Sequence, residues 1–277
     1  MRIANVGGRA ALVVDGRVVD VERASGGRLP SDSNALVARL GEVGDLEVPD
    51  DAPALEDVEL GPPVPRPSKI LAAALNYRSH AEESGLPLPD APVLFAKLPS
   101  ALAGPTDDVV VPEGRARVDW EAELVVVVGR RARDVSAGDA WSYVAGVTCG
   151  QDVSDREEQF RSVRQFTVAK SRDTYAPTGP VVVTPDELPN RDDLAVRCLL
   201  DGEEVQSGRT NDLIFSVPEL IEFASGWCTL EPGDLIFTGT PAGVGDGRDP
   251  PRYLAPGQLL ETEIEGIGAM RNAITAA

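Results

Sequence analysis

The segment Val118-Asp119-Trp120-Glu121-Ala122-Glu123-Leu124 runs directly into Val125-Val126-Val127-Val128. The β-branched run predicts a strand. Side chains alternate along a strand with a period of two, so Asp119, Glu121 and Glu123 share one face. Neighbours on that face stand ~7 Å apart, and at an effective dielectric of ~20 each like-charge pair costs on the order of 2 kcal/mol. A solvated edge strand tolerates that cost. A strand that leads into consecutive valines reads as buried, and there the repulsion needs a cation. Carboxylates are hard oxygen donors and suit Mg²⁺, Mn²⁺ or Ca²⁺ rather than Zn²⁺. At this level a wet acidic face and a divalent-metal site both stand.

Three other segments carry reactive groups. In Asn76-Tyr77-Arg78-Ser79-His80-Ala81-Glu82-Glu83 the chain's one histidine lies three residues before Glu83. A helical turn brings the two together, and a carboxylate partner orients an imidazole and raises its basicity, as a general base requires. The plainer reading is a surface histidine at a helix start. In Gln151-Asp152-Val153-Ser154-Asp155-Arg156-Glu157-Glu158-Gln159, Asp152 offers a further carboxylate, and Arg156 and Gln159 share a face if the segment is helical. Thr238-Gly239-Thr240-Pro241-Ala242-Gly243-Val244-Gly245 is a small-residue loop whose backbone can approach a ligand closely. It lacks the lysine of a phosphate-binding loop, which argues against a nucleotide. Only three lysines, Lys69, Lys97 and Lys170, stand against 23 arginines. Their rarity raises the question of what a compact ammonium does here that a guanidinium cannot.

The elements that position these groups are mostly strands. Residues 10–14 and 17–21 flank Asp15-Gly16, a hairpin signal. A short helix is expected over 33–40. Four prolines in 61–67 exclude a helix or a central strand and read as a linker. That divides a small N-terminal domain, 1–64, from a main domain, 65–277. In the main domain, strands are expected at 69–74, 109–111, 121–128, 179–183, 194–200, 234–238 and 258–264. Helices are expected at 79–84, 137–141 and 217–223, the last capped by Ser216. Strands and helices do not alternate as in a doubly wound fold, so the class is mixed α/β and β-dominated.

The chain has 277 residues, 42% of them hydrophobic and 26% charged, enough for a sizeable core without disulfides. Its net charge of −19 argues against nucleic acid and against an anionic membrane surface. A small anionic substrate would need a local cation. The apolar runs are too short for a membrane helix, and Arg2, Arg9, Asp15, Arg17 and Asp20 interrupt any signal-peptide core. Cys149, Cys198 and Cys228 form no CxxC pair and read as reduced thiols, so a cytoplasmic protein is expected.

In order, LNYRSHAEE, FAK, VDWEAEL, QDVSDREEQ, AKSRD, TGTPAGVG and a GxGxMRN-like close at 266–272 resemble the fumarylacetoacetate hydrolase family over roughly 68–272. The resemblance implies a β-dominated roll with a small N-terminal domain, and a homodimer. It implies that Glu121, Glu123 and Asp152 hold a divalent ion, Mg²⁺ or alternatively Mn²⁺ or Ca²⁺, and that Asp119 is not a direct ligand. His80 and Glu83 match the water-activating dyad, and Lys170 the lysine that contacts substrate near the metal. Arg156 and Gln159 match its polar neighbours, and Thr240 the threonine of the Gly-Thr-Pro loop. Tyr77, in the first motif, stands as a further substrate-binding candidate.

By the same resemblance, a 2-oxo acid chelates the ion, and His80-activated water cleaves a carbon–carbon bond of a 2,4-dioxo acid. Isomerisation or decarboxylation of a dicarboxylic 2-oxo acid, such as oxaloacetate or an unsaturated seven-carbon diacid, uses the same enolate and stays open. A non-catalytic metal-binding protein is the more distant alternative. Gln151 and Trp120 depart from the family's common Asn and Tyr without touching the proposed chemistry. Arg172, with Arg161 and Arg164, makes one stretch unusually basic. Charge balancing on a surface loop explains this, or else a second anionic group on the substrate. Loop 85–92 is expected to read the substrate's tail.

Overall fold

A computed structural model of the chain describes residues 1–44, 46–161 and 165–277. The fold is β-dominated, and its largest sheet contains eleven strands among the described residues. Its main path runs Arg17–Asp20, Arg9–Val14, Arg2–Val6, Ala176–Val183, Val144–Gln151, Ala122–Val128, Leu235–Phe237, Ile70–Ala74 and Val93–Lys97. The middle of the path is antiparallel; Leu235–Phe237 meets Ile70–Ala74 in parallel. All seven residues of Ala122–Val128 are buried. This is why the strand reads as a nearly unbroken apolar run rather than an alternation: paired on both edges, it is covered on both faces.

The expected hairpin forms. Asp15 and Gly16 both take positive φ, +48° and +75°, which a two-residue turn of this hand requires. The strand Arg2–Val6 continues the hairpin into the main sheet by pairing with Ala176–Val183 and also takes Leu60–Gly61 on its flank. The proline-rich stretch after Gly61 carries no helix or strand as far as residue 69.

A second sheet, in the order Glu203–Arg209, Ala195–Leu200, Leu259–Ile264, Gly268–Ala276, Val109–Val111, lies against the first where Gly268–Ala276 meets Ala176–Val183. The two-stranded ladder of Val118–Asp119 with Ser154–Asp155 closes over the acidic centre described below.

The helices are short. Arg78–Glu83 and Arg156–Gln159 carry candidate site residues, as the i, i+3 spacings require. The helix expected at 217–223 runs on to Trp227, and Ser216 with Glu219 forms a complete capping box at its start. The helix expected at 137–141 is instead a 3₁₀ turn, Ala140–Tyr143, and the one expected at 33–40 ends at Val37. Strands Val93–Lys97, Glu203–Arg209 and Gly268–Ala276 were not expected. Glu203–Arg209 and Gly268–Ala276, polar or mixed in composition, take strand form from their sheet partners rather than from propensity, whereas Val93–Lys97 is a short apolar run. No helix among the described residues is long and apolar enough to cross a membrane.

Candidate functional site

Where Ala122–Val128 and Val144–Gln151 run side by side, their ends bring Glu121, Glu123 and Asp152 together. One carboxylate oxygen from each lies within 4.8 Å of the others, and all three residues are buried. The Asp152 N–H donates to the Glu121 carbonyl at 2.9 Å, which fixes the crossing of the two segments. Gln151 accepts the Glu121 N–H at 2.9 Å and donates to Thr262 at 2.9 Å, so it anchors the ligand strand to the second sheet.

Two ammonium groups enter this acidic centre. Lys170 Nζ donates to Glu121 at 2.8 Å and to Asp152 at 2.6 Å. Lys97 Nζ donates to the other oxygen of Asp152 at 2.5 Å and to the carbonyl of Lys170. Lys97 is 1% exposed. Burial pushes its pKa down despite Asp152, whereas for Lys170 Asp152 and Glu121 outweigh burial and raise it. Burial would push Glu121 up, but Lys170 and Arg156 prevail and hold it at about 2. Glu123 goes the other way. Burial, then Asp152 and Glu121, raise it well above the ordinary carboxylate range. Its hydrogen-bond donor is the backbone N–H of Gly239, at 2.7 Å.

Arg156 lies beside this centre. Its guanidinium bridges Asp119 and Glu121, each at 2.7 Å, and donates to Gln159 Oε1 at 2.9 Å. Thr240 donates to the Ala122 carbonyl at 2.8 Å and accepts from Gln206 at 2.8 Å. On the opposite side, His80 Nδ1 is 2.9 Å from Glu83 Oε2. Glu83 Oε1 accepts the Gly243 N–H at 2.8 Å, which ties the dyad's helix to the Gly-rich loop.

A cavity of about 570 Å³ separates the two sides. His80, Glu83, Glu121, Arg156, Gln159, Lys170 and Thr240 all line it, so seven of the ten site candidates face one space. Glu123 and Asp152 sit behind Glu121 and Lys170, in the acidic centre. Tyr77 does not line the cavity. It is fully buried, its hydroxyl has no hydrogen-bond partner among the described residues, and burial raises its pKa. Leu86 and Pro89 of the loop expected to read the tail line the cavity, with Val93, Phe160, Phe166 and Val244 completing an apolar wall. Of the basic stretch, Arg161 pairs with Glu158 at 3.2 Å and Arg172 is exposed; neither lines the cavity. Arg164 lies outside the described residues.

Sequence reasoning gave Lys97 and Gln151 no role, and took Asp119 only as an acidic neighbour that is not a direct ligand. The scarcity of lysine was the available signal for Lys97. All three lysines pair with buried carboxylates, Lys69 with Asp234 and the others here. Gln151 was set aside as remote from the chemistry, yet it holds the strand that carries Glu121.

The donor set fits a hard divalent ion. Among the described residues the centre holds four carboxylates, Asp119, Glu121, Glu123 and Asp152, against three cations, Arg156, Lys97 and Lys170. Among the described residues Glu123 forms no ion pair, and burial with its carboxylate neighbours raises its pKa. Buried carboxylate oxygens with a deficit of positive charge suit Mg²⁺, Mn²⁺ or Ca²⁺.

The family model described as fumarylacetoacetate (FAA) hydrolase C-terminal matches residues 69–275. The chain is 42% identical over 213 residues to the mitochondrial oxaloacetate tautomerase FAHD2A of Homo sapiens, covering 76% of this chain and 68% of that protein. It is 44% identical over 216 residues to a 2,4-didehydro-3-deoxy-L-rhamnonate hydrolase of Sphingomonas sp. (strain SKA58), covering 78% and 76%. It also superimposes with a TM-score of 0.85, at 32% identity and over 100% of both chains, on fumarylacetoacetate hydrolase from psychrophilic Exiguobacterium antarcticum.

Proposed function

The chain belongs to the fumarylacetoacetate hydrolase family, and from that premise we propose that it is a Mg²⁺-dependent hydrolase that cleaves a carbon–carbon bond in a 2,4-dioxo acid. The observation that carries the reading is the His80–Glu83 pair at 2.9 Å, across one cavity from Glu121, Lys170 and Arg156. A structural metal site needs no such dyad.

Glu121, Glu123 and Asp152 would hold the ion, which supplies fixed positive charge for the oxygens of a 2-oxo acid. With it, the centre's sum of four carboxylates and three cations becomes one positive charge, which a single substrate carboxylate balances. Gln159 accepts from Arg156 through Oε1, and its amide NH₂, without a partner among the described residues, would donate to that carboxylate. Lys170, its ammonium fixed by Glu121 and Asp152, stands ready to favour negative charge developing on the substrate's oxygen.

Glu83 accepts the Nδ1–H of His80, which leaves Nε2 as the basic nitrogen. Nε2 takes a proton from water as that water attacks the C4 carbonyl. The C3–C4 bond then breaks, one fragment leaves as a carboxylic acid, and the other takes up a proton as a 2-oxo acid. Leu86, Val93, Phe160 and Phe166 form an apolar wall on the tail side.

A second reading is tautomerisation of oxaloacetate, favoured by the 42% identity to a protein of that name. Decarboxylation of oxaloacetate or isomerisation of an unsaturated 2-oxo diacid belongs with it, since each would use the same centre without water attack. The hydrolase reading also carries a homodimer in the cytoplasm. The outer strand of the main sheet, Val93–Lys97, exposes Val93 and is followed by exposed Leu98, an edge suited to a second copy.

The test is turnover of acetylpyruvate and oxaloacetate with Mg²⁺ and with EDTA, with products read by mass spectrometry. Metal-dependent formation of pyruvate and acetate is expected, and His80→Ala should lower kcat by about 10² or more. Accelerated enol–keto exchange of oxaloacetate with no cleavage of any 2,4-dioxo acid would replace the hydrolase reading with the second one.

A further inference from the structure

Asp119 is the one carboxylate of the acidic centre that is not in the metal-ligand cluster, and it is 0% exposed. Its two oxygens accept five N–H groups. Oδ2 takes Arg156 Nε at 2.9 Å, Arg156 Nη2 at 2.7 Å and the Asp246 N–H at 3.0 Å. Oδ1 takes the Gly245 N–H at 2.7 Å and that of Trp120 at 2.8 Å. Burying a carboxylate this completely raises its pKa, a cost that Arg156 and these donors oppose.

Four of the five donors come from two different parts of the site. Arg156 belongs to the wall that receives the substrate's carboxylate. Gly245 and Asp246 belong to the Gly-rich loop, whose Gly243 N–H holds Glu83, which in turn holds His80. Trp120, next to Asp119, adds a second tie by donating its indole N–H to the Gly243 carbonyl at 3.1 Å. The loop is closely fitted. A Cβ at Gly243, where φ is +105°, would stand 2.2 Å from the Val205 carbonyl, and one at Gly245 would stand 2.6 Å from Asp119 Oδ1.

We infer that Asp119 is a positioning residue that sets both ends of the reaction site from one buried carboxylate: Arg156 at the substrate's carboxylate, and the His80–Glu83 dyad through the Gly-rich loop. The inference rests on the hydrolase reading for what Arg156 and His80 do, but not for the hydrogen bonds that join them. An asparagine cannot replace Asp119. Whichever way its amide turns, the NH₂ faces N–H donors where an acceptor stood.

The experiment compares wild type, Asp119→Asn, Glu83→Ala and the double variant. Acetylpyruvate with Mg²⁺ is the substrate, and amide hydrogen exchange is followed on the same proteins. Asp119→Asn should raise KM about tenfold through Arg156 and lower kcat at least tenfold through the dyad. In the Glu83→Ala background it should lower kcat by less than threefold, because the dyad is already lost. Exchange at Gly243, Gly245 and Asp246 should speed up at least tenfold, while Val125 in the central strand keeps its protection.

Losses in kcat that multiply in the double variant, or unchanged exchange at Gly243, would overturn the inference. If Asp119→Asn does not fold, Trp120→Phe removes the indole N–H tie to the Gly243 carbonyl, addressing the link from the loop's side, and leaves the Asp119–Arg156 pair alone. It should lower kcat at least tenfold with KM within threefold, and have less than a threefold effect on kcat once Glu83 is removed; additive losses would again overturn the inference. Faster exchange in Asp119→Asn, with no turnover of any 2-oxo acid by the wild type, would sustain the link and refute the hydrolase reading alone.

Discussion

Glu123→Gln should stabilise the metal-free protein and lose most of that advantage when a divalent ion is added. In the metal-free protein, Glu123 has one oxygen within 4.8 Å of both Glu121 and Asp152. At an effective dielectric of ~20, two unit charges at that distance repel by about 3.5 kcal/mol, so the side chain is driven to its protonated form. Burial and the neighbouring carboxylates raise the Glu123 pKa well above its ordinary range, and whatever its size such a shift costs at most about 3 kcal/mol at pH 7. Glutamine removes that cost and still accepts the Gly239 N–H. At about 2–4 °C per kcal/mol for a chain somewhat shorter than this one, Glu123→Gln should raise the Tm in EDTA by roughly 5–10 °C.

The pH dependence follows from the same shift. The folded protein binds the Glu123 proton more tightly than the unfolded chain does. Stability of the metal-free wild type therefore falls as pH rises from the ordinary carboxylate range through the folded pKa, a slope that Glu123→Gln lacks. With Mg²⁺ at a hundred times its Kd, the wild type gains about 2.7 kcal/mol and the variant loses most of that gain. Differential scanning fluorimetry between pH 5 and pH 8, with EDTA and with Mg²⁺, reads both effects. A variant less stable than wild type in EDTA, or one that keeps the full Mg²⁺ shift, would refute the assignment of Glu123 as a ligand.

Lys97→Met should destabilise the protein by about 3–5 kcal/mol in chemical denaturation, because it strands the buried Asp152 carboxylate with one ammonium instead of two; a loss under 1 kcal/mol would show that Asp152 does not need Lys97. Asp246 accepts from Arg117 at 2.6 Å and from Tyr253 at 2.5 Å, and although burial opposes them, these partners lower its pKa. A lowered carboxylate stabilises above its unfolded pKa and loses that contribution as pH falls through the folded one. Asp246→Asn should therefore reduce the Tm at pH 7 and have a shrinking effect towards pH 3, and an equal effect at both would rule out the ionic partners as the cause.

The chemistry was more legible in the sequence than the architecture. Glu123 in the strand and Glu121 just before it, two apart, and His80 and Glu83 on one helical turn, three apart, are local spacings that bring the side chains together. Asp119 obeyed the same alternation, but the strand breaks between Asp119 and Ala122. There the chain turns the carboxylate towards Arg156, a partner 37 residues away. No local pattern announces such a partner. The same holds for Lys97, 55 residues from Asp152 and placed by the pairing of Val93–Lys97 with Ile70–Ala74. Strand Glu203–Arg209 was missed for a related reason. Its residues are polar, and one of them, Gln206, is buried to hold Thr240 and the Ala122 N–H.

The position of Arg2–Val6 within the main sheet bears on how the chain assembles. Its neighbours are its own hairpin on one side and, on the other, Leu60–Gly61 beside Asn5 and Val6 and Ala176–Val183 beside Arg2 and Ile3, where Arg2 faces Val183. On a ribosome the hairpin can form as soon as it emerges, but the pairing of Arg2 and Ile3 on its second edge waits for about 170 further residues, roughly 8–35 seconds of synthesis at ~5–20 residues per second. Until then that part of the edge stays unpaired. Ala122–Val128 and Val144–Gln151, which carry the acidic centre, close over a far shorter loop and can pair before that edge is satisfied. Slow translation downstream of the acidic centre therefore lengthens the period in which a nascent chain with its reactive strands already paired still presents a sticky edge. In this chain, the yield of folded protein should be most sensitive to synthesis speed and chaperone supply over that interval.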